Sequence, residues 1–357
     1  MQLPTHGSNP HYLYKALGIE MPQSYVDFSA NINPLGPPSS IKQRWSGFFE
    51  GILDYPDPHA VELTHMIAKK EALHEDSVLV GNGGAEIITL VAKELANKRV
   101  LIIQPAFAEY AESCLAAGCE VDFFQLEAPR WELDLDRLRP LLPQYAAIFL
   151  CTPNNPTGIS YKEETVRELI EACQKAQCMM VLDEAFYDFT DNAFSYAPLI
   201  KEFPHLLILR SMTKIFAIPG LRLGYLLADP TIITRAKTFK PHWSVNHIAL
   251  EVGKLCLAEE AYMSKTRAYI QRQKRDLFRF YKELDIEVSE STVNFYLVRD
   301  ESLSLFPFLL KRGIVPRHTY NFPGLDGRWL RFAVKSEQDN KALMEAVKQW
   351  KTLGSIL

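Results

Sequence analysis

Little in this chain points to a membrane, to nucleic acid or to an oxidising compartment. No apolar run reaches the roughly 20 residues that span a bilayer. The first fifteen residues, MQLPTHGSNPHYLYK, lack a basic region followed by an apolar core. Both absences lead us to expect a cytoplasmic protein with no membrane partner. No block of Lys or Arg stands out, and a formal charge of −4 offers no bulk attraction to phosphate backbones, so a nucleic-acid partner is not expected. The six cysteines (Cys114, Cys119, Cys151, Cys173, Cys178 and Cys256) include no Cys-x-x-Cys pair and have no histidines at zinc spacing. They read as reduced core thiols, and no metal is expected. Internal repeats and low-complexity segments are also missing.

The chain's 357 residues suffice for one large domain and a smaller one, and its 47% hydrophobic and 23% charged residues suit an ordinary folded protein. From about residue 60 to 230, apolar runs alternate with helical stretches: SVLVGN, RVLIIQP, AAIFLCTP, MMVLDEAF, LLILRS and LRLGYLLA. The runs are continuous rather than alternating, as in strands buried on both faces, and most are separated widely enough for a crossover helix. That predicts an α/β domain with a mostly parallel sheet. A helix-like stretch over 245–285 leads to strand candidates VNFYLVRD and WLRFAV and a closing helix QDNKALMEAVKQW, the pattern of a small α+β domain. We divide the chain into a large domain, 41–244, and a second unit in which the segment 1–40 joins a small C-terminal domain, 245–357.

In open α/β sheets ligands bind beyond the carboxyl ends of the strands, so the polar residues after each run are candidate site residues. After SVLV comes Gly81-Asn82-Gly83-Gly84-Ala85, whose small residues let backbone N–H groups approach a phosphate at a helix N-terminus. After VLIIQP comes Phe107, able to lie flat against a planar ring. After AAIFL comes CTPNNPTG, where Asn154 or Asn155 can present an amide. After MMVL comes Asp183, a carboxylate suited to a protonated ring nitrogen. After LLIL come Ser211, Thr213 and Lys214, with Arg222 eight residues beyond the lysine, a set that can hold a phosphate dianion beside an amine. Lys214 is flanked by Ile215, Phe216, Ala217 and Ile218, where an unused charge would be costly. Together the residues describe a planar ring with an acid-paired nitrogen, a phosphate and an aldehyde captured by Lys214 as a Schiff base. The cofactor that fits is pyridoxal 5′-phosphate.

With these motifs in place, GNGGAE, CTPNNPTG, DEAF and SMTKIFAIPGLRLGY, the chain resembles the fold-type I pyridoxal-phosphate enzymes of the aspartate aminotransferase group. The resemblance implies that Asn155 binds the ring hydroxyl, Asp183 pairs with the ring nitrogen and Phe107 stacks. It implies too that Ser211 and Arg222 hold the phosphate with the backbone of Gly84 and Ala85. A tyrosine from the neighbouring subunit usually completes that cup, and Tyr55 in LDYPDP matches it, implying a homodimer with composite sites. Many relatives carry Tyr directly after DEA; here Phe186 stands there, so that bond is absent or comes from elsewhere.

A narrower resemblance runs nearly end to end, on HGSN (6–9), DFSANINPLGPP (27–38), WSVN (243–246) and YNFPGLD (320–326). These motifs are similar to the threonine-phosphate decarboxylase family of cobalamin biosynthesis, an offshoot of the histidinol-phosphate aminotransferase branch. HGGN is usual there, so Ser8 is a departure. The implied reaction takes L-threonine O-3-phosphate to CO2 and (R)-1-amino-2-propanol O-2-phosphate. Arg331 in WLRFAV matches the family's carboxylate-binding arginine, and Arg317 in IVPRHTYN matches a second one in the decarboxylase branch. His6, Gly7, Ser8 and Asn9 are nominated for the substrate phosphate, on an N-terminal segment that folds over the site as a lid. Two other readings stay open: a histidinol-phosphate or related amino-acid transaminase, and a non-catalytic pyridoxal-phosphate-sensing regulator. The latter carries a basic recognition helix that this chain lacks.

Overall fold

The computed structural model describes residues 3–191 and 194–354. In chain order its strands are β1 (Val26–Asp27), β2 (Val78–Gly81), β3 (Arg99–Gln104), β4 (Glu120–Gln125), β5 (Ala147–Cys151) and β6 (Met179–Asp183). They continue with β7 (Leu206–Ser211), β8 (Gly224–Leu227), β9 (Phe295–Arg299), β10 (Ile314–Val315), β11 (Arg317–His318) and β12 (Trp329–Ala333). A seven-stranded sheet has the order β2-β8-β7-β6-β5-β3-β4. Strands β3 to β7 run parallel, while β8 is antiparallel to both β7 and β2. The link from β7 to β8 is spent on a short turn that carries Lys214 rather than on a crossover helix, so the chain returns antiparallel.

The continuous apolar runs have the predicted cause. Every residue of β5 and β7 is buried, and alternate residues of β5 feed different cores. Ile148 and Leu150 join one apolar cluster; Ala147, Phe149 and Cys151 join the other. Helices therefore cover both faces, as a buried parallel sheet requires. Strand β4 was not anticipated. Its sequence, EVDFFQ, is half-exposed at the sheet edge and lacks the continuous apolar signature.

The smaller unit has a three-stranded antiparallel sheet, β11-β12-β9, so the strand expectations at VNFYLVRD and WLRFAV hold as β9 and β12. The closing helix is Glu337–Gly354. The stretch read as helix-like over 245–285 is two helices, His247–Leu257 and Glu260–Glu283. The N-terminal segment holds a helix, Pro10–Leu17, that its sparse apolar pattern did not announce; proline opens its first turn and Gly18 closes it in the left-handed region at φ 65°. Strand β1 then pairs in parallel with β10, tying this segment to the C-terminal part of the chain. All six cysteines are free and buried. Among the described residues, no helix is long and apolar enough to cross a membrane.

Candidate active site

Parallel register aligns the carboxyl ends of the central strands. Cys151 pairs with Asp183, and Asp183 with Leu209, so the chain leaves β5, β6 and β7 at neighbouring points. A cavity of about 470 Å³ opens there, lined by residues from these strand ends, the N-terminal segment and the smaller sheet. Every residue that the resemblance assigns to cofactor or substrate lines it except Tyr55.

Lys214 sits in the one-turn helix Met212–Ile215 that follows β7. Burial, with Arg222 and then Arg331 nearby, pushes its amine down to about 8, while Asp183 pulls the other way. Ser211 Oγ and Thr213 Oγ1 lie 2.9 Å apart at the head of the same turn. Arg222, in the left-handed region at φ 59°, joins them in lining the cavity. Gly83 is required by this packing: it has φ 81°, and a Cβ there would lie 2.6 Å from Arg222 Nη2. Gly84 and Ala85 stand in the first turn of the helix Gly83–Glu94, whose N-terminal N–H groups and dipole favour an anion.

The CTPNNPTG loop separates its two asparagines. Asn154 is consumed by the loop: its Nδ2 donates to the Pro105 carbonyl at 3.1 Å, and its Oδ1 accepts from Thr157 Oγ1 at 2.8 Å. Asn155 faces the cavity and accepts a hydrogen bond from Arg331 Nη1. Asp183 is buried. Tyr110 donates to its Oδ2, and the Ala185 N–H donates to Oδ1 at 2.8 Å. Burial raises the Asp183 carboxyl above its ordinary range, and the Tyr110 hydrogen bond opposes that rise. Phe107 is set edge-on to Tyr110, with ring centroids 6.0 Å apart. Phe186 supplies no hydroxyl; its ring packs edge-on to Phe295 at 4.8 Å.

Two arginines form the opposite wall. Arg331 is buried, with Nη2 donating to the Ser29 carbonyl at 2.7 Å and Nε left without a partner. Arg317, also buried, donates to Asn321 Oδ1 at 2.7 Å and to the Thr5 and Pro4 carbonyls. Among the described residues, neither guanidinium has a carboxylate within ion-pair distance. Burial pushes Arg331 down to about 9, with Arg317 adding to the effect, and pushes Arg317 down to about 10.

The segment HGSN lies across this wall. Ser8 N donates to Ser29 Oγ at 2.9 Å, and a Cβ on Gly7 would come within 2.9 Å of Ser29, so the bent passage needs glycine there. Asn9 and His6 also line the cavity, and His6 Nε2 stands 3.7 Å from Glu109 and 3.8 Å from Glu112. Tyr55 is elsewhere, 82% exposed, with its ring 5.0 Å from that of Trp243.

Sequence reasoning missed three polar contributors. Tyr110 reaches Asp183 from the helix Glu109–Ala116. Ser29 ties Arg331 to the N-terminal segment. Asn31 lines the cavity, with a buried Oδ1 that has no partner. The last two lie within the quoted DFSANIN motif, the signal that could have nominated them.

Comparison with known proteins bears on this geometry. The family model described as aminotransferase class I and II matches residues 23–347. Threonine-phosphate decarboxylase of Salmonella typhimurium is 36% identical, over 96% of this chain and 95% of that protein. The crystal structure of the histidinol-phosphate aminotransferase from Clostridium acetobutylicum superimposes with a TM-score of 0.86 at 30% identity, covering 91% of this chain and 98% of the other. That of L-threonine-O-3-phosphate decarboxylase from Porphyromonas gingivalis gives a TM-score of 0.81 at 27% identity, covering 90% and 98%. The fold is thus the fold-type I architecture expected from the motifs.

Pyridoxal 5′-phosphate fits the residues present. Arg222, two hydroxyls and a helix N-terminus offer donors to a phosphate. Among the described residues no cation is bonded to the buried Asp183 carboxylate, and Lys214 offers an amine whose proton is easily lost.

Proposed function

We infer that this chain, which belongs to the aminotransferase class I and II family, is a pyridoxal-phosphate-dependent carboxy-lyase. It decarboxylates L-threonine O-3-phosphate to (R)-1-amino-2-propanol O-2-phosphate in cobalamin biosynthesis, as the similarity to threonine-phosphate decarboxylases supports. The observation that carries the reading is the pair Arg317 and Arg331, two buried cations without a carboxylate partner on the cavity wall. A substrate with both a carboxylate and a phosphate supplies the missing anions.

Pyridoxal 5′-phosphate, when bound, supplies the electron sink that accepts the pair left behind as CO2 departs. The chain's residues bind and aim. Ser211, Thr213 and Arg222, with the N–H groups of Gly84 and Ala85, would hold the cofactor phosphate. Asp183 would keep the ring nitrogen protonated, Asn155 would take the ring hydroxyl and Phe107 would cover the ring. Lys214 Nζ would hold the cofactor aldehyde and would supply the proton that replaces CO2 at Cα. Arg331, braced by Asn155 and Ser29, fixes the direction as well as the charge of the substrate carboxylate. Arg317 and the HGSN segment, His6 to Asn9, take the substrate phosphate, and the segment closes over it to exclude water.

Tyr55 acts from a second copy of the chain, completing the phosphate cup of its neighbour. Supporting this, exposed Tyr55 has its ring 5.0 Å from that of exposed Trp243, and Trp45, Phe49, Ile52 and Leu53, close by in the chain, are exposed as well. The large and small domains are assigned as 41–244 and as 1–40 with 245–357. The enzyme is assigned to the cytoplasm, which its six unbridged cysteines support.

The test is incubation of the cofactor-loaded protein with L-threonine O-3-phosphate, assaying CO2 and aminopropanol phosphate, beside a parallel mixture of histidinol phosphate and 2-oxoglutarate. Stoichiometric CO2 without any 2-oxo acid supports the reading. Glutamate from the second mixture with no CO2 from the first overturns it in favour of transamination.

A further inference from the structure

A second cavity, about 760 Å³, lies behind the active site. Successive residues of the same strand ends serve the two spaces: Cys151, Asn155 and Asp183 line the first, whereas Thr152, Pro153 and Glu184 line the second. The far wall is the long helix Glu260–Glu283, through Lys274 and Phe278, and Tyr161, Tyr187 and Tyr196 supply aromatic surface. None of these residues has a part in the chemistry assigned above.

The polar groups of this cavity are unevenly satisfied. On the acidic side, Glu184 is engaged by Arg210 at 2.8 Å and Asp191 by Arg267 at 3.6 Å, while the exposed Glu163 also lines the cavity, as does the cation Arg275. On the donor side, Tyr161 has a buried hydroxyl with no partner, and burial keeps it protonated. Lys274 is buried, donates to the Ser291 carbonyl, and has no carboxylate within ion-pair distance among the described residues. Burial pushes its amine down to about 8, with Asp191 as the weak opposing influence. A buried ammonium with donors to spare and an unanswered phenol both call for an acceptor, and for the ammonium a negative one.

We propose that this second cavity is a binding site for a small organic carboxylate, with Lys274 as its counter-ion, the Tyr161 hydroxyl as a further donor, and an aromatic or branched apolar body against Tyr196 and Phe278. A carboxylate satisfies the ammonium with charge-assisted hydrogen bonds, which a carbonyl alone does not. The aromatic walls shelter an apolar body rather than a second charge. The site also touches the catalytic centre from behind. Glu184 follows Asp183 directly, and the Thr152 N–H donates to the Asp183 carbonyl at 2.9 Å.

Calorimetric titration of the cofactor-loaded protein with phenylacetate tests this, with benzylamine as the cationic control. The expected result is one phenylacetate per chain and no benzylamine. Arg331→Leu should leave phenylacetate affinity unchanged, because the active-site arginines take no part. Lys274→Met should weaken it about tenfold or more, and Tyr161→Phe several-fold, as loss of charge-assisted and buried hydrogen bonds requires. Absence of phenylacetate binding overturns the proposal, as does binding that vanishes with Arg331 or survives intact without Lys274. Should Lys274→Met fail to fold, Tyr161→Phe decides, and unchanged affinity there also overturns it. None of these readouts depends on which reaction the enzyme catalyses.

Discussion

Arg317 stands directly opposite Arg331 in the antiparallel pair β11–β12, so two buried guanidinium groups share one face of the small sheet. Like charges in that relationship destabilise a sheet, and burial adds to the cost. Such a pair is retained where an anion completes it.

Arg331→Leu should therefore separate function from stability. We expect kcat/KM for L-threonine O-3-phosphate to fall by about 10²–10³-fold, the loss of a bidentate charge-assisted contact. The melting temperature should hold or rise, because an uncompensated cation has been removed. Steady-state kinetics and thermal unfolding on the same preparation check both; a lower melting temperature with an intact KM would assign the arginine to the fold alone.

Lys214 gives a pH signature in cofactor-free protein. Its amine is held down to about 8 by burial and by Arg222 and Arg331, and an amine captures an aldehyde only after losing its proton. The rate of cofactor uptake, followed by absorbance, should rise with pH through about 8 and level off above it. Removing the Arg331 charge lets the midpoint climb toward the ordinary lysine value, so uptake at neutral pH slows in Arg331→Leu. A midpoint near about 10.4 in the unmodified chain would refute this.

Lys214→Ala removes the group proposed to carry the cofactor and return the proton. Turnover should drop by at least about 10³-fold, with the circular dichroism of the fold unchanged. Residual activity close to that of the unmodified protein would move the catalytic role to another residue.

Tyr110 positions and tunes Asp183. Its hydrogen bond draws the carboxyl down against the burial that raises it. Tyr110→Phe lets the carboxyl rise further, so a larger fraction is protonated as pH falls. The acid limb of the kcat/KM profile should shift to higher pH, with a loss at neutral pH of about tenfold. An unmoved acid limb would leave Tyr110 a purely structural neighbour.

Tyr55 tests the composite site. Sedimentation should give a dimer at micromolar concentration, and Tyr55→Phe should weaken cofactor affinity by about tenfold, as loss of one hydrogen bond to a phosphate requires. A fully active monomer would remove Tyr55 from the site.

Much of this was legible before folding. Strands β5, β6 and β7 are continuous apolar runs because helices cover both faces of the sheet, and chemistry concentrates just beyond such runs. Asp183, Ser211 and Lys214 were readable for that reason. Side-chain chemistry alone left Asn154 and Asn155 open and the resemblance chose Asn155; in the structure Asn154 is bonded to Pro105 and Thr157, while Asn155 lines the cavity. Tyr110, Ser29 and Asn31 escaped notice because their roles rest on partners far along the chain, as with Ser29 and Arg331, 302 positions apart. Edge strand β4 escaped because it is half-exposed and lacks the buried pattern.

By itself the order of residues determined the alternation of strand and helix and the strand-end placement of the candidate site residues, Lys214 among them. These follow from local periodicity and from side-chain chemistry that needs no distant partner. Only the tertiary structure decided that Arg317 and Arg331 face one another without a carboxylate, that HGSN lies against Ser29, and that Lys274 and Tyr161 border a second cavity. Burial and pairing are properties of the packed neighbourhood, and strand register and long-range contact create that neighbourhood.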